Sequence, residues 1–127
     1  MTIGLWQTIR CRDADAVIAW LTAIGFTEHA VYRDEKDESL IVHAELLWPG
    51  GGGVMLGSMR DSGEWKRDPG SAGTYLVTED PDGVYAKALA AGAEGVQEPR
   101  DEDYGGRGAA VRDLEGNLWS FGSYAPV

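Results

Sequence analysis

Cysteine and basic side chains are scarce in this chain, and each scarcity closes off a class of function. The single cysteine, Cys11, leaves no partner for an internal disulfide and no thiolate set for a metal cluster. Eleven Lys and Arg stand against 21 Asp and Glu, a formal charge of −10. Phosphates of nucleic acid and of anionic membrane surfaces would be repelled, so neither is an expected partner, whereas neutral or cationic ligands are favoured on approach. No apolar run nears the ~18 residues of a membrane span. The N-terminus lacks a secretory signal pattern, so the expected compartment is the cytoplasm. There is no Gly-x-Ser-x-Gly elbow. The run Pro49-Gly50-Gly51-Gly52-Gly53 lacks the Lys-Ser/Thr of a phosphate loop and reads as a hairpin loop.

What remains is ordinary in bulk and patterned in detail. With 43% hydrophobic and 25% charged residues over a length of 127, the chain is neither disordered nor a coiled coil, and its length suits one domain. It contains an internal repeat. Asp13-Ala14-Asp15-Ala16-Val17-Ile18-Ala19 is matched by Asp80-Pro81-Asp82-Gly83-Val84-Tyr85-Ala86, 67 residues on, and the register persists from Ala23 to Ala90 and from Gly25 to Gly92. Each copy predicts a helix. Asp13 and Asp80 are placed to accept the free first-turn N–H groups, Pro81 opens its helix where no N–H is needed, and Gly25 and Gly92 follow the last turn. Val17, Leu21 and Ile24 form one apolar stripe; Val84, Ala88 and Ala91 form a smaller one.

Strand patterns flank each helix. Ile3–Cys11 precedes the first, with Trp6, Thr8 and Arg10 opposite Leu5, Ile9 and Cys11; Thr74–Thr78 precedes the second, with Thr74 and Leu76 opposite Tyr75 and Val77. Thr27–Arg33, Leu40–Leu47 and Val54–Ser58 follow the first helix. A short piece near Val96, then Gly108–Arg112 and Asn117–Tyr124, follow the second. The expected fold is α+β: two βαβββ modules in tandem, about 1–60 and 72–127, forming a curved mixed sheet around a cleft with helices on the convex face. An exposed loop, 59–73, joins them and carries Trp65. One such unit buries too little apolar surface to be secure alone, so two must pair, and the hollow between them is the expected ligand site.

The repeat, together with Val111-Arg112-Asp113-Leu114-Glu115-Gly116-Asn117-Leu118-Trp119-Ser120-Phe121, resembles the glyoxalase / bleomycin-resistance / extradiol-dioxygenase (vicinal oxygen chelate) superfamily. The family's last hairpin usually reads Asp-Pro-x-Gly-Asn, and here Leu114 replaces the Pro. The entry from Ile9 to Asp15, the exit at Gly25-Phe26, and His43-Ala44-Glu45-Leu46 with Val54-Met55-Leu56-Gly57 look like further parts of the same pattern. In metal-dependent members a divalent ion sits in the cleft on His, Gln or Glu. Carried over position by position, the resemblance puts those places on Trp6, Glu45, Thr74 and Ser120, of which Glu45 alone is a good ligand. His43 shares a strand face with Glu45, while His29 is expected in solvent, so the set falls short of three protein ligands and neither a metal nor another cofactor is expected.

The same resemblance implies a different use of the cleft. Trp6 offers an aromatic face where relatives place a ligand. Thr8, Arg10, His43, Glu45, Thr74, Leu76, Leu118 and Ser120 are expected to point inward, with Trp48, Trp65, Tyr104 and Arg107 at the rim and Trp119 and Phe121 in the core. Such a site suits a flat or cationic organic molecule, through stacking and cation–π contacts worth ~0.5–2 kcal/mol each. The reading implied is a metal-free binding protein of bleomycin-resistance type that sequesters a cationic or aromatic compound, an antibiotic among the options. Relatives often dimerise by exchanging modules, so a homodimer is expected. Two readings compete: a metal-dependent glyoxalase- or epimerase-type lyase or isomerase with an atypical site, and a subunit whose decayed cleft leaves its surface for partner contact.

Overall fold

Both helices form where their caps predict. The computed structural model describes residues 4–126. In it β1 (Trp6–Cys11) leads to α1 (Ala14–Ile24), then β2 (Thr27–Arg33), β3 (Ile41–Leu47) and β4 (Gly53–Ser58). The second module repeats the order with β5 (Gly73–Val77), α2 (Pro81–Ala90), β6 (Glu94–Asp101), β7 (Arg107–Arg112) and β8 (Leu118–Gly122). The Asp13 carboxylate accepts the Ala16 N–H at 3.1 Å and Asp80 accepts that of Gly83 at 3.0 Å. Gly25, at φ 129°, turns the chain out of α1 as only a residue without Cβ does cheaply. Ile3, placed by the sequence at the start of the first strand, lies outside the described residues.

The strands form two four-stranded sheets, in order β1-β4-β3-β2 and β5-β8-β7-β6, each with one parallel pair (β1 with β4, β5 with β8) and antiparallel neighbours elsewhere. The sequence shortened β6 to a piece near Val96; it runs for eight residues. Pro99 lies inside it, where the register shifts between Gln97 and Arg100, and β6 is an outer strand bonded only to β7. A proline is tolerated there because no ladder bond is asked of it.

One face of each sheet is sealed by its helix. Ile9, Cys11, Ala44, Leu46, Val54 and Leu56 from the first sheet are buried, as are Leu76, Ala109, Val111, Trp119 and Phe121 from the second. Trp20 of α1 joins the two layers: its ring centroid is 5.7 Å from that of Trp119, and its indole N–H donates to the Ala88 carbonyl of α2 at 3.2 Å. Burying a side chain of this size contributes on the order of 1.5–3 kcal/mol or more. Leu76, expected to point inward, borders the groove between the modules and, 6% exposed, is packed into the core as well. The repeat offset sets Leu76 opposite Ile9 and Thr74 opposite Gln7, so the counterpart of Trp6 is Gly73.

Two further contacts lock the modules at nearly equivalent points. The Glu115 carboxylate, in the last hairpin of module two, accepts the backbone N–H groups of Arg12 (2.6 Å) and Asp13 (2.7 Å) at the entry to α1. Trp48, in the matching hairpin of module one, donates its indole N–H to the Val77 carbonyl at 2.9 Å, near the entry to α2. Between β1 and β5 the link is made by a side chain: the Gln7 amide donates to Thr74 Oγ1 (2.9 Å) and to the Gly73 carbonyl (3.2 Å).

Candidate functional site

The face of the first sheet turned away from α1 carries its chemistry in cross-strand rows. One row pairs Trp6 with Gly53, Gly53 with Leu47 and Leu47 with Thr27. The next pairs Thr8 with Met55, Met55 with Glu45 and Glu45 with Ala30. Strand glycines make these rows possible. A Cβ at Gly53 would stand 2.6 Å from the Trp6 ring, and one at Gly57 would stand 2.8 Å from Arg10 Nη1. Each glycine therefore leaves a seat for the side chain opposite it. On the second sheet Tyr75 lies over Gly122 in the same manner, and its hydroxyl donates to the Tyr124 carbonyl at 2.7 Å. Burial and the neighbouring Tyr104 and Tyr124 phenols raise the Tyr75 pKa above its ordinary value, so it stays a neutral donor.

Where the starts of β1 and β5 approach one another, a groove of about 610 Å³ opens between the modules. Its walls are aromatic, from Trp6, Phe26, Trp48 and Tyr75, with the Gln7–Thr74 pair as polar floor. Trp48 is held by its bond to Val77 and by Phe26, whose ring centroid is 5.0 Å away, so this wall is fixed before any ligand arrives. The volume falls within the ~300–1,000 Å³ common for small-molecule sites.

Of the residues singled out by the sequence, Trp6, Trp48 and Thr74 meet in this groove. His43 and Glu45 meet one another, Nε2 to Oε2 at 2.8 Å, in the row beside Thr8 and the one next to it, and Tyr32 stacks on the His43 ring at 6.3 Å. Thr8 and Arg10 border a narrow crevice with the linking loop. Ser120 pairs with Tyr75 and Ala110 on the second sheet, and Leu118, 42% exposed, lies on the same face. Trp65 is 55% exposed in the linking loop. Tyr104 packs edge-on to Tyr124 at 5.6 Å. Arg107 is engaged by Asp82 (2.7 and 3.0 Å) and Asp101 (3.3 Å), which hold its guanidinium charged. Cys11 is buried, and burial, with Glu115 and Asp113 nearby, pushes its thiol up to about 12, so it stays protonated.

Sequence reasoning missed Gln7, Phe26 and Tyr75 as groove residues; it placed His29 in solvent, and His29 is exposed there. His29 Nε2 stands 3.9 Å from Glu45 Oε1, so both histidines of the chain approach one carboxylate. The readable signal was the glycine at alternate strand positions, Gly53, Gly57 and Gly122, each under a large side chain.

The donor set does not fit the divalent ion of metal-dependent relatives. Trp6 has no lone pair to offer, and the hydroxyls of Ser120 and of Thr74, which already accepts a hydrogen bond from Gln7, are weak neutral donors beside the single carboxylate of Glu45. Among the described residues, no three His, Cys, Asp or Glu side chains are gathered as an ion would require.

Comparison with known proteins places this geometry. TioX from Micromonospora sp. ML1 superposes with a TM-score of 0.76 at 26% identity, over 98% of this chain and 100% of that one. UcmS2 does so at 0.73 and 22%, over 98% and 100%. A glyoxalase family protein from Bacillus cereus gives 0.74 and 18%, over 96% and 93%. No curated protein matches the chain. Residues 5–121 match the family model, and with the repeat and the paired βαβββ sheets the chain belongs to the Glyoxalase/Bleomycin resistance protein/Dioxygenase superfamily.

Proposed function

We propose that this protein binds a small cationic or aromatic compound without chemistry and acts by sequestering it, as bleomycin-resistance-type members of its superfamily do, an antibiotic being one such ligand. The observation that carries the reading is the aromatic groove at the module seam, with Trp6, Phe26, Trp48 and Tyr75 as walls. Its fixed walls suit a flat molecule, because little side-chain freedom is lost on binding. Glu45 lies on the same sheet face, two residues along and two strands across from Trp6, about 12 Å away, where it can meet a positive charge at the far end of an extended ligand stacked on Trp6. The net charge of −10 draws such a ligand in. The competing glyoxalase- or epimerase-type reading asks for ligands that Trp6, Thr74 and Ser120 do not supply. The open sheet faces suit a homodimer in which modules of two chains complete one cleft.

Titrating the protein with a panel of planar cationic and neutral aromatic drugs, followed by tryptophan fluorescence, tests the proposal. Saturable quenching at one ligand per groove is expected, stronger for cations than for neutral analogues of the same shape. Emission unchanged across the panel would count against it.

A further inference from the structure

At the far end of β1 from Trp6 the chemistry reverses sign. Arg10 and Arg60 border a groove of about 290 Å³, whose remaining walls include Leu40, Ile41, Val42 and Met59. The chain holds 21 carboxylates, yet neither guanidinium forms an ion pair within 4.0 Å among the described residues. Arg10 makes one long bond, from Nη1 to the Ser58 carbonyl at 3.4 Å, and so keeps most of its five donors free. Asp34 borders the groove, but its Oδ1 accepts the N–H groups of Lys36 (2.8 Å) and Asp37 (3.0 Å) in its own turn. The seat of Arg10 is built: Gly57 beneath it has no side chain, and a Cβ there would lie 2.8 Å from Nη1. Burial and then the charge of Arg60 lower the Arg10 pKa, in keeping with the two cations standing close together. Beside them Leu40, Val42 and Met59 are 44–47% exposed, an apolar patch next to unpaired positive charge.

We propose that this groove is a second ligand site, for a small amphipathic organic anion: a carboxylate engaged by Arg10 and Arg60, with a short apolar tail on Leu40, Val42 and Met59. The planar fork of an arginine matches a carboxylate, and the surrounding acidic surface makes a lone sulfate a poor substitute for a ligand that also buries apolar area. The site lies four residues from Trp6 along β1, about 13 Å, and is separate from the aromatic groove.

Octanoate is the probe, titrated into the full chain at neutral pH while backbone amide shifts are followed, with 1-octanol, octylamine and sulfate as comparisons. Shifts centred on residues 10, 40–42 and 57–60 are expected for octanoate. Arg60→Gln, at an exposed position outside the strands, and Arg10→Gln should each weaken it at least about tenfold, the scale of one charge-assisted hydrogen bond. Arg10→Lys, which keeps the charge and loses the fork, should recover part of the loss. Octanoate shifts confined to the groove beside Trp6, sulfate or octanol binding as well as octanoate, or unchanged affinity in Arg60→Gln would overturn the proposal.

Discussion

Replacing Asp113 with alanine is expected to lower the unfolding free energy by about 3–5 kcal/mol and the melting temperature by roughly 10–20 °C. Asp113 is 7% exposed and its carboxylate accepts four hydrogen bonds: from the backbone N–H of Glu115 (2.8 Å) and of Asn117 (2.9 Å), from Asn117 Nδ2 (3.1 Å) and from Trp119 Nε1 (2.8 Å). Asn117 and Trp119 are themselves buried, so alanine leaves their donors without water or partner. The damage spreads beyond the hairpin. Asn117 Oδ1 also accepts the Ala72 N–H at the entry to β5, and Trp119 packs on Trp20 and Phe26 of the other module. Asp113→Asn keeps an acceptor for some of these donors and should lose less. Urea denaturation of the three proteins measures the order, and a loss below about 1 kcal/mol for alanine would show that the network is dispensable.

Trp6→Ala is expected to weaken the best ligand of the fluorescence panel about 10- to 100-fold, since the indole supplies both stacking and buried apolar area worth roughly 1.5–3 kcal/mol. Trp6 is half-buried over Gly53 and outside the core, so stability should change little by comparison. Trp6→Phe, with a smaller ring face, should fall between. Equal affinity in all three proteins would place the ligand away from this groove.

The difference between these two predictions follows what the sequence made legible. The repeat exposed both helices with their Asp caps, because capping and left-handed glycine are local chemistry that tertiary context rarely overrides. It also exposed the core role of Trp119 and Phe121, because alternation along β8 leaves a strand only two faces. Face assignment was ambiguous at β5. There a polar Thr74 and an apolar Leu76 share one side, and residue type alone could not tell which side the helix covers. β6 was read only as a short piece near Val96, whereas an outer strand with a register shift tolerates Pro99 and runs on past it. The groove was half legible. Trp6, Trp48 and Thr74 carry local signals, whereas Phe26, Gln7 and Tyr75 reach it only through the packing of one module on the other, which no local pattern encodes. The pairing of the two arginines at the opposite end of β1 is of the same kind: it depends on β1 lying beside β4 in parallel, 47 residues apart at Arg10 and Gly57.

The central claim is that an indole where relatives carry a metal ligand makes this a site of contact and charge. Elemental analysis of protein purified without chelator tests it most directly. The account predicts no stoichiometric transition metal, with ligand affinity unaltered by EDTA; Ni, Zn, Fe or Mn bound one per chain and lost in Glu45→Ala would contradict it.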